Sequence, residues 1–159
     1  MKLKLASAAR ASDIVKGLQR KGKKVVFTNG CFDIIHAGHV RYLDKAKNLG
    51  DFLIIGLNRD DSVRRLKGQG RPIMPFAERA LLLSFLTPVD LVVGFSDDTP
   101  AKLISRLRPD ILVKGADYKP GEIVGASEVK SWGGVVRRIP LVRGKSTSAI
   151  ISRLNDDAG

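Results

Sequence analysis

Both histidines of this 159-residue chain lie in one short stretch, "FTNGCFDIIHAGHV", at residues 27–40. His36 and His39 are three positions apart with Gly38 between them, just before a predicted helix. If that helix begins near Ala37, both imidazoles lie at its N-terminal end, where unpaired N–H groups and the helix dipole attract anions. Gly38 would let a phosphate group approach the backbone closely. The stretch therefore predicts an anion site, with a purely structural histidine pair as the alternative.

A second polar cluster lies near the other end of the chain, in "LVRGKSTSAII". Three consecutive hydroxyl residues, Ser146, Thr147 and Ser148, follow Arg143 and Lys145 at the start of the last predicted helix. Hydroxyls and unpaired N–H groups at a helix N-terminus suit a terminal phosphate. An ordinary N-cap is the alternative, but a cap needs only one hydroxyl. The cluster therefore predicts a second half of a phosphate site.

The elements that must position these two clusters alternate between strand and helix. Five short apolar runs predict strands: "KVVFT", "DFLIIGL", "VDLVVGF", "DILVKG" and "VVRRIPLV". The predicted helices include one before the first strand with Ser12 as a possible cap, and later ones stopped by Gly68 or capped by Thr99. This order predicts an α/β, Rossmann-like single domain with a parallel five-stranded sheet and helices on both faces. Ligands bind at the carboxyl ends of such strands, where both polar clusters lie.

Composition limits the class of protein further. A hydrophobic content of 43% with 28% charged residues is typical of a globular domain. A single cysteine, Cys31, excludes an internal disulfide framework and fits a reducing compartment. No apolar run is long enough for a membrane span, and the basic N-terminus lacks the apolar region of a signal peptide. We expect a cytoplasmic protein with a basic N-terminal segment and leading helix (1–22), one domain (23–155) and a tail (156–159).

The formal net charge of +12 indicates anionic ligands. Nucleic acid, anionic lipid and small phosphorylated ligands all fit such a charge. A nucleic-acid-binding module would interleave aromatic and basic residues for base stacking. Residues 1–24 are strongly basic but contain no aromatic residue. We therefore expect neither a nucleic-acid nor a membrane partner, and small phosphorylated ligands remain.

Common cofactor signatures are absent from the sequence. Neither the dinucleotide pattern G-x-G-x-x-G nor the P-loop pattern G-x-x-x-x-G-K-[ST] occurs. A zinc site at the histidine pair lacks a further histidine ligand. Cys31 has no evident imidazole–carboxylate pair to activate it, so a small packing residue is favoured over a nucleophile.

The stretch "GCFDIIHAGHVRYLDKAKNLGD" resembles the nucleotidyltransferases of the cytidylyltransferase-like superfamily, whose hallmark is H-x-G-H. The terminal "STS" resembles the second signature of that superfamily. The likeness continues through "NRDDSVRRLKG", "RPIMPFAERA", "VDLVVGFSDDTPAKLI", "PDILVKGADY" and "VVRRIPLV", over about residues 24–154. Within the superfamily, these stretches are most similar to the D-glycero-β-D-manno-heptose 1-phosphate adenylyltransferases.

The resemblance implies transfer of AMP from ATP to a heptose 1-phosphate, with release of pyrophosphate. It implies Mg²⁺ bound mainly through the ATP phosphates, with no metal ligand assigned among the side chains. It further implies a homodimer, for which helices near 76–86 or 101–107 could supply the surface, and a product used for lipopolysaccharide core or another surface glycan. The alternative is a cytidylyltransferase acting on another phospho-acceptor such as glycerol 3-phosphate.

The resemblance also implies roles for individual residues. The catalytic group would be His36, His39 and Lys67. The nucleotide would contact Thr28, Asn29, Gly30, Phe32, Gly38, Arg143, Ser146, Thr147 and Ser148. The acceptor would contact Asp33, Arg79, Lys114, Gly115 and Asp117, with Asp33 also a candidate to orient hydrated Mg²⁺. Alternatives remain for three of them: a solvated helix end for Lys67, an ion pair with Glu78 or another acid for Arg79, and a turn for Asp117.

Overall fold

Six parallel strands form one sheet in the order β1-β4-β3-β2-β5-β6. The computed structural model describes residues 3–140 and 147–156. The strands are β1 (Leu5–Ala6), β2 (Val25–Gly30), β3 (Phe52–Asn58), β4 (Leu91–Phe95), β5 (Ile111–Gly115) and β6 (Val135–Ile139). The central strands are almost wholly apolar because helices cover both of their faces. The α/β class and the parallel sheet are therefore confirmed.

The expectation of five strands was one short, because β1 lies in the basic segment before the first helix. Its two residues pair with β4, Leu5 opposite Val92 and Ala6 opposite Val93. Lys4 next to it donates from Nζ to the carbonyl oxygen of Val89 at 2.6 Å. A two-residue strand is too short to produce a hydrophobic period, so no sequence pattern indicates it.

Seven α-helices lie among the described residues. They are α1 (Ala8–Arg20), α2 (Ala37–Lys47), α3 (Asp60–Lys67), α4 (Phe76–Phe85), α5 (Ala101–Leu107), α6 (Ala126–Ser131) and α7 (Thr147–Asp156), with a 3-10 turn at Pro120–Glu122. Gly68 ends α3 with a φ of 98°, as expected. The predicted caps of two other helices are wrong. Ser7, not Ser12, caps α1, and α5 has no side-chain cap, so Thr99 does not cap it. Ser12 is buried and donates its hydroxyl to the carbonyl of Arg106 instead.

Two hydrophobic cores cover the two faces of the sheet. Helices α1, α5 and α6 pack on one face, with Val15, Ile104 and Val129 in the core. Helices α2 and α4 pack on the other face, with Leu43 and Leu83 in the core. Successive residues of β2 point alternately into the two cores. This double layer holds the carboxyl ends of the strands, and the loops that follow them, at fixed positions.

No helix among the described residues is long and apolar enough to cross a membrane.

Candidate functional site

A cleft opens at the carboxyl ends of β2 and β5, and we refer to it as the carboxyl-edge cleft. It consists of two adjoining cavities of about 260 and 480 Å³. Their shared lining is Asn29, Gly30, Cys31, Phe32, His39, Lys114, Tyr118 and Thr147. The chain runs from β2 to β3 on one side and reaches β5 on the other, so the cleft lies where the strand order reverses. This is the usual ligand position in an open α/β sheet.

His36 lies at the very start of α2, where it acts as the N-cap residue. Its Nδ1 accepts a hydrogen bond from the backbone N–H of Gly38 at 3.1 Å. A neutral imidazole that accepts at Nδ1 carries its proton on Nε2, which is then a hydrogen-bond donor. Gly38 is buried and lines the smaller cavity. The helix start, the imidazole and the glycine therefore occupy one wall of the cleft, as the sequence predicts.

His39 stacks directly on His36, with ring centroids 3.9 Å apart and an interplanar angle of 23°. Phe32 contacts the same ring at a centroid distance of 5.2 Å. Burial, with a smaller contribution from the charge of His36, lowers the pKa of His39 to about 4. His39 is therefore neutral at pH 7 in the ligand-free protein. A neutral imidazole can donate to a phosphate oxygen, and an approaching anion would favour its protonation.

Phe32 has a positive φ of 45°, unusual for an aromatic residue. Its ring lies where a side chain on Gly30 would project, since a Cβ at Gly30 would come within 3.0 Å of the ring. Gly30 is therefore required by the packing of Phe32 as well as by any close ligand approach. Both residues line the cleft, as the sequence predicts.

Lys114 is the penultimate residue of β5, and it is almost buried in the wall of the cleft. Only 9% of the residue is exposed. Burial lowers the pKa of Lys114 to about 8, although Asp117 and Cys31 oppose the shift. Its Nζ lies 5.2 Å from the centroid of the Tyr118 ring. Sequence reasoning missed Tyr118, although an aromatic residue in "KGADY" after a strand was a usable signal.

The start of α7 reaches the same cleft from the other end of the chain. Thr147 lines both cavities and Ser148 lines the larger one. Arg143 and Ser146 lie outside the described residues. Gly115 and Asp117 line the smaller cavity, and Lys67, exposed at the end of α3, lines the larger one. The structure therefore brings Thr147 and Ser148, the described part of the second polar cluster, to the cleft that the histidine pair lines.

Asp33 is occupied by contacts within the chain. Its Oδ2 accepts from Arg71 Nε at 2.5 Å and from the amide of Ile73 at 2.9 Å, and its Oδ1 accepts from the amide of Met74 at 2.9 Å. Burial alone would raise its pKa, but these amides and the guanidinium bring the pKa of Asp33 below its ordinary value. Asp33 lines the larger cavity, yet its main contacts hold the loop 71–74.

Arg79 also contacts the loop 71–74, through the carbonyl of Met74. It is fully buried and donates to the carbonyls of Met74 at 2.9 Å, Cys31 at 2.6 Å and Asn58 at 2.8 Å. It also forms an ion pair with Asp60 at 2.7 Å. We call Asp33, Arg79 and the segment 71–74 the loop clamp. The expected acceptor contact of Arg79 is not supported, because the side chain does not reach the cleft. The alternative of an ion pair with an acid is confirmed, with Asp60 rather than Glu78 as the partner.

Three further residues lie beneath or within the wall of the cleft. Thr28 is fully buried and its hydroxyl is 2.8 Å from the hydroxyl of Tyr42, so its side chain supports the cleft from below. Asn29 lines the cleft, and its buried Oδ1 has no hydrogen-bond partner among residues 3–140 and 147–156. Burial raises the pKa of the Cys31 thiol, which disfavours a thiolate nucleophile and agrees with a packing role.

A protein-family model described as cytidylyltransferase-like matches residues 27–153. That span begins within β2, ends within α7 and includes every residue that lines the carboxyl-edge cleft. The chain belongs to the cytidylyltransferase-like family of nucleotidyltransferases.

Relatives with similar sequences include bifunctional HldE proteins. The chain is 58% identical over 153 residues to the bifunctional protein HldE of Campylobacter curvus, and 54% identical over 155 residues to that of Syntrophotalea carbinolica. These matches cover 96% and 98% of this chain but 31% of each relative. The chain therefore spans about a third of the length of these relatives.

Two solved structures are similar to this one. A lipopolysaccharide core biosynthesis protein from Thermoplasma volcanium has a TM-score of 0.63 and 32% identity, over 78% of this chain and 100% of that one. A pantoate-beta-alanine ligase from Francisella tularensis has a TM-score of 0.65 and 17% identity, over 89% of this chain and 68% of that one. The second likeness shows the fold alone.

Proposed function

We propose that the chain transfers AMP from ATP to D-glycero-β-D-manno-heptose 1-phosphate, giving ADP-heptose and pyrophosphate. The observation that carries this proposal is that the starts of α2 and α7 line one cleft. Two helix N-termini, with a histidine pair on one and hydroxyls on the other, provide donors for a chain of phosphates. The heptose acceptor rests on the resemblance of "LVKGADY" and its neighbours to that group of enzymes. The similarity to a lipopolysaccharide core biosynthesis protein supports a product used in a surface glycan.

The chemistry needs positioning and charge stabilisation rather than a covalent intermediate. An acceptor phosphate oxygen attacks the α-phosphorus, the bond to the leaving pyrophosphate breaks, and negative charge develops on the phosphoryl oxygens. His36 and His39 would donate to those oxygens, while Thr147 and Ser148 would hold the leaving phosphates. Lys114 would neutralise the acceptor phosphate from the wall of the cleft. Preorganised donors of this kind account for large rate effects when they act only in the transition state.

Mg²⁺ fits this site as an ion carried by the nucleotide. No group of three or more possible metal ligands occurs within the described ranges. Mg²⁺ commonly uses substrate phosphates and water with few protein carboxylates. When bound, the ion would neutralise phosphate charge, and Asp117 is an exposed carboxylate of the cleft that could contact its hydration shell.

The test is pyrophosphate release with Mg²⁺ and defined pairs of substrates. Release with ATP and the β-heptose 1-phosphate, and loss of that release in His39→Ala, are expected. Release with CTP and glycerol 3-phosphate, but none with ATP and the heptose phosphate, would establish the alternative. Running the histidine variant beside the parent protein excludes a contaminating activity.

We also propose a cytoplasmic homodimer that associates through α4. Leu81 and Phe85 are one helical turn apart and are 47% and 51% exposed. We favour α4 over the other expected surface, 101–107, because Leu103, Ile104 and Leu107 of α5 pack in the core. Leu81→Lys should convert a dimer to a monomer in sedimentation velocity, whereas Val40→Lys on α2 should not. A monomeric parent protein would refute the proposal.

A further inference from the structure

A separate cavity lies at the amino ends of β2, β5 and β6, at the edge of the sheet opposite the carboxyl-edge cleft. Its volume is about 490 Å³, within the range of small-ligand sites. The lining residues that matter are Lys16, Lys24, Arg106, Arg108, Asp110 and Trp132. The six residues of β2 separate the two edges by about 20 Å, at roughly 3.3 Å per residue. We call this the amino-edge cavity.

The charge of the amino-edge cavity is not balanced. Its single carboxylate, Asp110, accepts from the amide of Val25 at 2.9 Å, from Gln19 at 3.1 Å and from Lys24 at 3.4 Å. Asp110 is therefore neutralised locally by Lys24. Lys16, Arg106 and Arg108 line the same cavity and form no ion pair with any carboxylate of the described chain. Three cations around one concavity favour an anion of two or more charges.

Arg108 is held in position by its own backbone and by Trp132. It follows α5 with a φ of 49°, a left-handed conformation that usually favours glycine or asparagine. Its guanidinium carbon lies 5.1 Å from the centroid of the Trp132 ring, a cation–π distance. The indole N–H donates to the carbonyl of Pro109 at 3.0 Å, which fixes the ring. A guanidinium ordered in this way loses less entropy when it binds an anion.

We propose that the amino-edge cavity binds a small anion of the pyrophosphate class, with two linked phosphate groups. Phosphate oxygens match guanidinium donors in pairs, and two phosphate groups can engage Arg106 and Arg108 together with Lys16. Nucleic acid is less suited, because stacking of successive bases needs several open aromatic faces. Trp132 is the one aromatic residue of the lining, and Arg108 lies over its ring.

Trp132 is the only tryptophan of the chain, so it reports on this cavity directly. Inorganic pyrophosphate is titrated into the protein without Mg²⁺ at constant ionic strength, and the tryptophan emission is followed. A saturable change is expected, with no such change for sodium chloride. A response to a single-stranded oligonucleotide but not to pyrophosphate would overturn the proposal, as would a linear response shared by all salts.

Substitutions test whether pyrophosphate binds in the amino-edge cavity. The double substitution Lys16→Gln with Arg106→Gln should raise the half-saturating concentration of pyrophosphate at least tenfold. Lys45→Gln removes an exposed cation from α2 on the other face of the sheet and should leave it unchanged. His39→Ala alters the carboxyl-edge cleft and should also leave the Trp132 response unchanged. An unaltered response in the double variant, or its loss in His39→Ala, would refute the assignment. The titration needs no catalysis, so it is independent of the proposed adenylyl transfer.

Discussion

The loop clamp and the carboxyl-edge cleft are neighbours, but they differ in whether their buried polar groups have partners within the chain. In the clamp, the guanidinium of Arg79 makes four hydrogen bonds and the carboxylate of Asp33 accepts three, all within the chain. In the cleft, Lys114 has no carboxylate within ion-pair distance among the described residues, and Asn29 Oδ1 has no partner there. Buried polar groups are usually satisfied, so the ones that are not indicate where a ligand supplies the missing partners.

This difference separates residues that hold the site from residues that contact its ligand. Arg79 and Asp33 fix the loop that follows Lys67 and bears Arg71, whereas His39 and Lys114 face the cavities directly. Substitutions in the clamp should therefore reduce stability first, and substitutions in the cleft should reduce activity while the fold persists.

The largest effect is expected for Arg79→Met, which removes the clamp at its centre. Asp60 and three backbone carbonyls would lose a buried donor. Breaking a buried pair in this way costs about 3–5 kcal/mol. Urea unfolding should show this loss of free energy. Glu78→Gln is the matched control, because Glu78 is the exposed neighbour on the same helix, and it should change stability by no more than about 0.5 kcal/mol. Equal effects of the two substitutions would contradict the clamp.

The next effect is expected for His39→Ala, which removes a donor from the cleft. Removal of one preorganised donor to a developing oxyanion lowers kcat by about 10²- to 10³-fold. The loss should appear in kcat and in kcat/KM alike, because the interaction strengthens in the transition state. Val40→Ala, an exposed neighbour on α2, should leave kcat unchanged. Activity of His39→Ala within a few-fold of the parent protein would show that the histidine pair is structural.

The positions of several cleft residues could be predicted from the sequence because the signals for them are local. Backbone direction at a helix start follows from nearby residues, so His36, His39 and Thr147 could be assigned to helix N-termini before the fold was known. Parallel strand order then brings the two starts to one edge of the sheet. The hydrogen-bond partners of Arg79 could not be predicted from local signals. Asn58, Met74 and Asp60 lie 21, 5 and 19 positions away, and no pattern within one helix reveals such contacts.

Asp33→Asn should have an intermediate effect on stability, with a characteristic pH dependence. Its amide nitrogen would face the donors of Arg71 or Ile73, at a cost of about 1–3 kcal/mol. The pKa of Asp33 is lowered in the folded protein, so its contribution is complete above the unfolded value of about 4 and is lost as pH falls through the lowered folded value. Unfolding measured from pH 7 downwards should therefore show the two proteins converging in acid. A constant gap at all pH values would contradict this origin.

The smallest effect concerns the charge of Lys114. With a pKa of about 8, this lysine is mostly protonated at pH 7 and loses its charge as pH rises through 8. If it neutralises the acceptor phosphate, kcat/KM for the acceptor should fall about tenfold by pH 9, since this ratio reports the free enzyme. Lys114→Met should lower kcat/KM about tenfold at pH 7 and remove that alkaline decline. Lys119→Arg, on the exposed part of the same loop, should retain the decline. A decline that persists in Lys114→Met must come from another group, and Lys114 would then belong with the clamp rather than with the ligand.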